Sequence, residues 1–247
     1  MTEAARSRAP GFSELGAVAA TGLLSVALNR VPPRWELPAG IAAAGLMLAL
    51  AHQSGAQLSD AGLEPETASR GLVLGLAVGV PAAAVVMAGG GVPAIRRFYH
   101  DDRVVDATSD DMIYHLFARI PFATAVAEEV IFRSALVGIF SRRRSPFVAA
   151  ALSSALFGAW HILPSISRLH TNPGASAMHS HDRGRQALGV AAVVAATAVA
   201  GMGFYWLQWR SRSVVAPIVV HAAVNGAGLL AGWLGSRVDV RVGQDQP

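Results

Sequence analysis

The sequence predicts an all-α fold, a polytopic membrane helix bundle of about seven transmembrane helices, with six to eight as the range. Three observations predict it. Of 247 residues, 53% are hydrophobic and only 15% are charged. Stretches of mostly apolar residues recur at 11–29, 38–52, 71–92, 121–140, 146–164, 187–208 and 214–234, most of them near the ~20 residues that cross ~30 Å of hydrocarbon. These stretches are apolar around most of their circumference, unlike amphipathic surface helices. Backbone groups in lipid must be satisfied within the segment, so the spans are helices.

Taken in order, residues 1–10 read as a polar N-terminal tail with Arg6 and Arg8. The first span contains Ala17-Val-Ala-Ala20, which imitates a signal peptide, but the spans behind it favour an uncleaved first helix. The stretch 38–52 is the shortest. A polar connector, 53–70, leads to the third span, and 93–120 is long and charged, with Arg96, Arg97, Asp101, Asp102, Arg103, Asp106, Asp110 and Asp111. Ser109 before two aspartates resembles a helix N-terminus. It predicts a short interfacial helix at 110–119, before Pro121 opens the fourth span. Residues 165–186 read as a polar loop with His170, His179 and His181. The organisation is therefore a tail at 1–10, N-terminal helices and connectors at 11–110, a helical core at 111–234 and a polar tail at 235–247.

All 20 basic residues are arginine, which fits a coding bias and carries no nucleic-acid inference. They read as membrane-flanking anchors, with Tyr205, Trp206 and Trp209 as an interfacial belt. With seven spans, Arg142-Arg143-Arg144 and Arg210 with Arg212 share a side with Arg6 and Arg8. Arginines in short loops mark the cytoplasm, so a multi-pass protein of the cell membrane with its N-terminus inside is expected. There is no cysteine, which excludes disulfides and thiolate metal sites.

Against this background Glu128, Glu129 and Arg133 stand out, three ionisable residues inside the fourth span. Each costs roughly 2.5–3.5 kcal/mol near a bilayer centre unless it faces protein and is partnered. Glu129 can pair with Arg133 four residues on, while Glu128 is turned about 100° away. His161 ends the fifth span, and His221 and Asn225 share a face of the last. Counted from the end opposite the triple-arginine loop, Glu128 lies about 10 Å deep, Asn225 about 13 Å, His161 about 5 Å and His221 about 20 Å. These groups are expected to converge on one water-accessible pocket.

Glu128-Glu-Val-Ile-Phe-Arg133, Phe157-Gly-Ala-Trp-His161 and His221-Ala-Ala-Val-Asn225 fit Glu-Glu-x-x-x-Arg, Phe-x-x-x-His and His-x-x-x-Asn, in that order and each within an apolar span. Over about 111–234 the chain resembles the CAAX protease and bacteriocin-processing (CPBP, or Abi) family, which includes the prenyl-protein endopeptidases of the Ras-converting type. The resemblance implies an intramembrane endopeptidase acting on a membrane-associated protein or peptide. In that reading Glu128 activates water with help from His161. His221 and Asn225 bind the oxyanion or help hold a metal, and Glu129, Arg133 and Phe157 support them. Ser134 departs from the family, many members of which have glycine there.

A cofactor is not fixed by this reading. Glu128, His161 and His221 are the candidate ligands for a divalent metal such as zinc, and metal-free catalysis is equally compatible. Two other functions compete. One is a non-catalytic relative acting in bacteriocin immunity or as a scaffold, with the polar cluster kept for structure. The other is a proton-coupled carrier, since buried Glu and His also build relays; no internal repeat supports it.

Overall fold

The computed structural model describes residues 14–57, 61–96, 98–99, 107–171 and 183–244, without the side chains of 169–171 and 238–244. The N-terminal tail, His100, most of the charged stretch 97–106, and the loop residues His179 and His181 lie outside them, as does the His170 side chain.

Helices stand where the seven apolar stretches are. They are α1 (Glu14–Leu28), α2 (Glu36–Gln53), α3 (Ala68–Gly90), the composite α4 (109–141), α5 (Pro146–Trp160), α7 (Arg183–Ser211) and α8 (Val215–Gln244), with the short α6 (Ile162–Thr171) between α5 and α7. No strand occurs among the described residues. Among the described residues five helical segments are long and apolar enough to cross a membrane, Pro33–Gln53 being one. The weakest stretch thus forms a full-length helix, and α1 is a shorter apolar one. The protein is a multi-pass membrane bundle. Outward leucines and valines such as Leu23 and Val73, about 70% exposed, are what a lipid-facing surface requires.

Proline sets several starts, because a first-turn residue has no intrahelical use for its N–H. Pro33 and Pro65 open 3₁₀ turns ahead of α2 and α3, and Pro146 follows the Ser145 cap of α5. The fourth helix departs from expectation. Its cap is Thr108, whose hydroxyl accepts from the Asp111 N–H while the Asp111 carboxylate accepts from the Thr108 N–H. From there the chain passes Pro121 without a break, as Ser109–Tyr114 (α), His115–Val126 (π), Ala127–Glu129 (α), Val130–Leu136 (π) and Val137–Ser141 (α). Interfacial helix and span are one rod. A π-type adjustment can re-satisfy backbone groups that proline frees, so Pro121 is carried through rather than used as a start. Two further limits differ: α6 and the beginning of α7 occupy part of the expected loop at 165–186, and α8 runs past 234 to Gln244.

The core is built around α4. Ile131, Phe132, Leu136 and Phe140 are buried against Ala43, Met47 and Ala51 of α2, Ala149 and Phe157 of α5, and Ala17 of α1. The closest helix pair is α3 with α8. Gly71, Gly75 and Gly79 form a stripe at four-residue spacing against Ser213, Val219 and Val220, the small-residue contact that drives association in lipid. A Cβ at Gly75 would stand 2.8 Å from the Val219 Cβ, so Gly75→Leu is expected to cost at least the 1–3 kcal/mol or so of an overpacked core. A melting temperature in detergent well below that of Gly22→Leu, where nothing lies within 4 Å, checks it.

One loop reaches into the bundle. Ser134 Oγ of α4 and Gln208 Nε2 of α7 both donate to the Ala61 carbonyl, at 2.7 and 3.0 Å, and the Val214 N–H donates to the Gly62 carbonyl at 2.9 Å. Gly62 has φ +67° and faces Gln208, a conformation and a closeness that only glycine meets without strain. Ser134, the departure from the family pattern, is thus the anchor of the connector between α2 and α3. At the same end Arg144 pairs with Glu14 at 3.0 Å and Thr67 donates to the Arg212 carbonyl at 2.9 Å. The Arg142–Arg144 loop therefore lies beside the start of α1 and the Arg210–Arg212 loop beside the start of α3.

Candidate active site

The site begins with a residue that water does not reach. Glu129 is fully buried, and Arg133, equally buried, meets it at 2.9 Å (Nε to Oε2). The pairing follows from spacing, one helical turn apart on α4. The guanidinium also lies over the Phe157 ring, 4.4 Å from its centroid, and 5.4 Å from that of Phe204. Aromatic faces are favourable partners for a desolvated guanidinium.

Glu129 also reaches α8. Its Oε1 is 2.8 Å from His221 Nδ1. A carboxylate ion-paired with arginine can only accept, so Nδ1 carries the hydrogen and Nε2 is left to face the interior. Phe204 stacks on the imidazole at 5.2 Å and 16°, and Phe157 meets it edge-on at 6.0 Å. Bond and stack together fix the ring.

Glu128 takes the other direction, as the 100° rotation requires. Its Oε1 accepts from Trp160 Nε1 at 3.2 Å. Its Oε2 is buried without a hydrogen-bond partner among the described residues and lies 3.8 Å from His221 Nε2. Glu128 and His221 are thus face to face, although their sequence depths differ by about 10 Å. The offset vanishes because α8 starts deep. Val214 is tied to Gly62, level with Ser134, and Ser134 lies about 10 Å below the end of α4. From that common level Glu129 is about 8 Å down α4 and His221 about 10 Å down α8.

His161 caps α5 with its Nδ1 2.7 Å from the Phe157 carbonyl, and its ring sits edge-on to Phe157 at 4.7 Å. It neighbours Trp160 but makes no ion pair or hydrogen bond with Glu128. Asn225, one turn beyond His221, is exposed and has no hydrogen-bond partner among the described residues. The structure thus draws Glu128, Glu129, Arg133, Phe157 and His221 into one cluster and sets His161 and Asn225 at its margin. Among the described residues no three His, Asp or Glu side chains gather as a metal site.

Residues 111–227 match the Rce1-like family, the type II CAAX prenyl endopeptidases. Over this segment, a little under half of its length, the chain is similar to that family. Comparison with curated proteins and with solved structures returned no match. The Rce1-like segment holds every residue of the cluster, and its family is one of peptidases. The helices before residue 111 pack around it without contributing to the cluster.

Two members of the Rce1-like site escape a reading by motif. Trp160 stands in the variable part of Phe-x-x-x-His, although an indole N–H in an apolar span needs an acceptor. Phe204 sits among the aromatics taken for an interfacial belt. Trp206 and Trp209 are exposed as a belt demands, while Phe204 turns inward. Trp160→Phe keeps the packing on Phe132 and removes only the donor. Losing a hydrogen bond to a charged group costs about 1.5 kcal/mol or more, so the melting temperature is expected to fall by a few degrees and turnover about tenfold.

Proposed function

We propose that the chain is an intramembrane endopeptidase that hydrolyses a peptide bond of a membrane-associated protein or peptide, with Glu128 as the general base. One observation carries the proposal. Glu128 is held by Trp160 through one oxygen, while its other oxygen is buried, unbonded and turned toward a histidine whose tautomer Glu129 fixes. An oxygen with no hydrogen-bond donor on it is free to accept a proton from water, which is what a general base must do.

In this mechanism Glu128 Oε2 takes a proton from water, and the water oxygen bonds to the scissile carbonyl carbon. The carbonyl π electrons move to oxygen, giving a tetrahedral intermediate. Asn225 and the doubly protonated ring of His221, which then carries a hydrogen on Nε2 as well as on Nδ1, donate to that oxyanion, each such donor contributing about 2.7–4 kcal/mol. Collapse of the intermediate breaks the C–N bond, and the proton held by Glu128 passes to the leaving amine. His161, at the rim, orients the water. Glu129 and Arg133 hold His221 and touch no reacting atom.

The donor chemistry suits zinc. Both histidines have Nδ1 engaged, by a carboxylate and by a backbone carbonyl, which leaves Nε2 for a ligand. With Glu128 they would hold an ion that polarises the carbonyl. The three are not gathered, so no step above passes through a metal.

On this reading the protein belongs in the cell membrane, with the Arg142–Arg144 and Arg210–Arg212 loops in the cytoplasm, as arginines in short loops favour. Reporter fusions at residue 143 and at the C-terminus are expected to report inside and outside respectively; the reverse pair would overturn the orientation. Function is tested by comparing membrane proteomes of cells carrying the wild type and Glu128→Gln. Cleaved fragments that vanish with the variant support an endopeptidase, and identical fragment sets defeat it.

A further inference from the structure

Away from the Glu128 cluster, a cleft of about 500 Å³ opens between α3 and α7, within the size range of small-molecule sites. Its walls are apolar for most of their length: Val73, Leu74 and Ala77 on one side and Trp206 on the other. At its upper end, beside the arginine loops, stand Arg70 and Arg210, both exposed. No carboxylate lines the cleft, and neither guanidinium is paired with one among the described residues.

The two helices span the membrane, so the lower part of the cleft faces hydrocarbon and the upper part meets the headgroups. A gap of this size in hydrocarbon is filled by an acyl chain, because polar solvent is excluded there. Two guanidiniums without a carboxylate partner among the described residues, at headgroup level, call for an anion, and arginine suits phosphate through its planar fork of donors. We propose that the α3–α7 cleft binds one anionic glycerophospholipid, its phosphate between Arg70 and Arg210 and a chain along Val73, Leu74, Ala77 and Trp206.

The site is joined to the interior. Leu74 lines the cleft and also packs on the cluster of Leu207, Ala216 and Val220, which Phe204 completes. Phe204 is the ring stacked on His221. A chain seated in the cleft backs the wall against which the imidazole rests.

The test uses the full chain, delipidated in detergent and titrated with dioleoyl-phosphatidylglycerol or dioleoyl-phosphatidylcholine, with bound lipid counted by native mass spectrometry. The wild type is expected to retain one phosphatidylglycerol. R70A/R210A should bind it about 30-fold more weakly, the factor for two basic side chains at an anionic interface. Both positions are exposed, so this variant keeps its fold. Ala77→Trp fills the groove with the charges intact and is expected to lose the lipid as well. Equal retention of phosphatidylcholine, or unchanged phosphatidylglycerol binding by R70A/R210A, overturns the proposal. So does full competition by inorganic phosphate, which would leave an anion site without a lipid.

Discussion

Glu128→Gln is expected to abolish peptide cleavage while leaving the melting temperature of the protein unchanged. The amide keeps an oxygen that can accept from Trp160 Nε1, now 3.2 Å from the carboxylate, and its volume is that of the acid. Only the capacity to take a proton is lost. General-base catalysis contributes about 10²–10⁴-fold, and with the water unactivated the rate should fall by at least that factor. The measurement is the cleavage rate of a substrate found by the proteomic comparison, followed in detergent and again in liposomes. A variant that keeps the wild-type rate would remove Glu128 from the chemistry. A variant that fails to fold would instead make Glu128 a structural residue, which its single hydrogen bond does not suggest.

Arg133→Met is expected to have the largest effect on stability. It leaves the Glu129 carboxylate, fully buried, without its cation, and breaking a buried pair in this way costs about 3–5 kcal/mol. Glu129→Gln alone strands the guanidinium and should cost a similar amount. The double substitution removes both charges and is expected to recover much of the loss, since a buried pair replaced by neutral side chains is often tolerated. The cycle of four melting curves gives the coupling directly. Additive losses would mean that Glu129 and Arg133 act independently. The double variant also separates stability from catalysis. Fold returns, but His221 has exchanged a carboxylate for an amide at Nδ1, so activity stays low.

The bundle was legible in the sequence because hydropathy reports directly on which segments can lie in lipid. The different directions taken by Glu128 and Glu129 were legible too, because consecutive residues on a helix must point about 100° apart. Other features were hidden for particular reasons. The π stretches of α4 have no compositional mark, and Pro121 suggested a start where the helix continues. The level of His221 could not be counted from hydropathy limits, because the depth at which α8 begins is fixed by a backbone bond to Gly62. The Gly71, Gly75 and Gly79 stripe carries no sign of the helix it packs on. Trp160 and Phe204 hold Glu128 and His221, and each stood inside a pattern that had a simpler explanation.

The bond network at Ala61 has a mechanical meaning. Three helices that carry site residues, α4 with Arg133, α7 with Phe204 and α8 with His221, are tied at nearly the same height to two adjacent peptide units. Such a tie is a fulcrum. Glu128 lies about 9 Å from it along α4, and the Ser109 end lies about 37 Å away. Were the far ends of these helices to spread about it, the displacement at Glu128 and His221 would be about a quarter of that at the rim. One end of the bundle could open while these two side chains stay nearly in place.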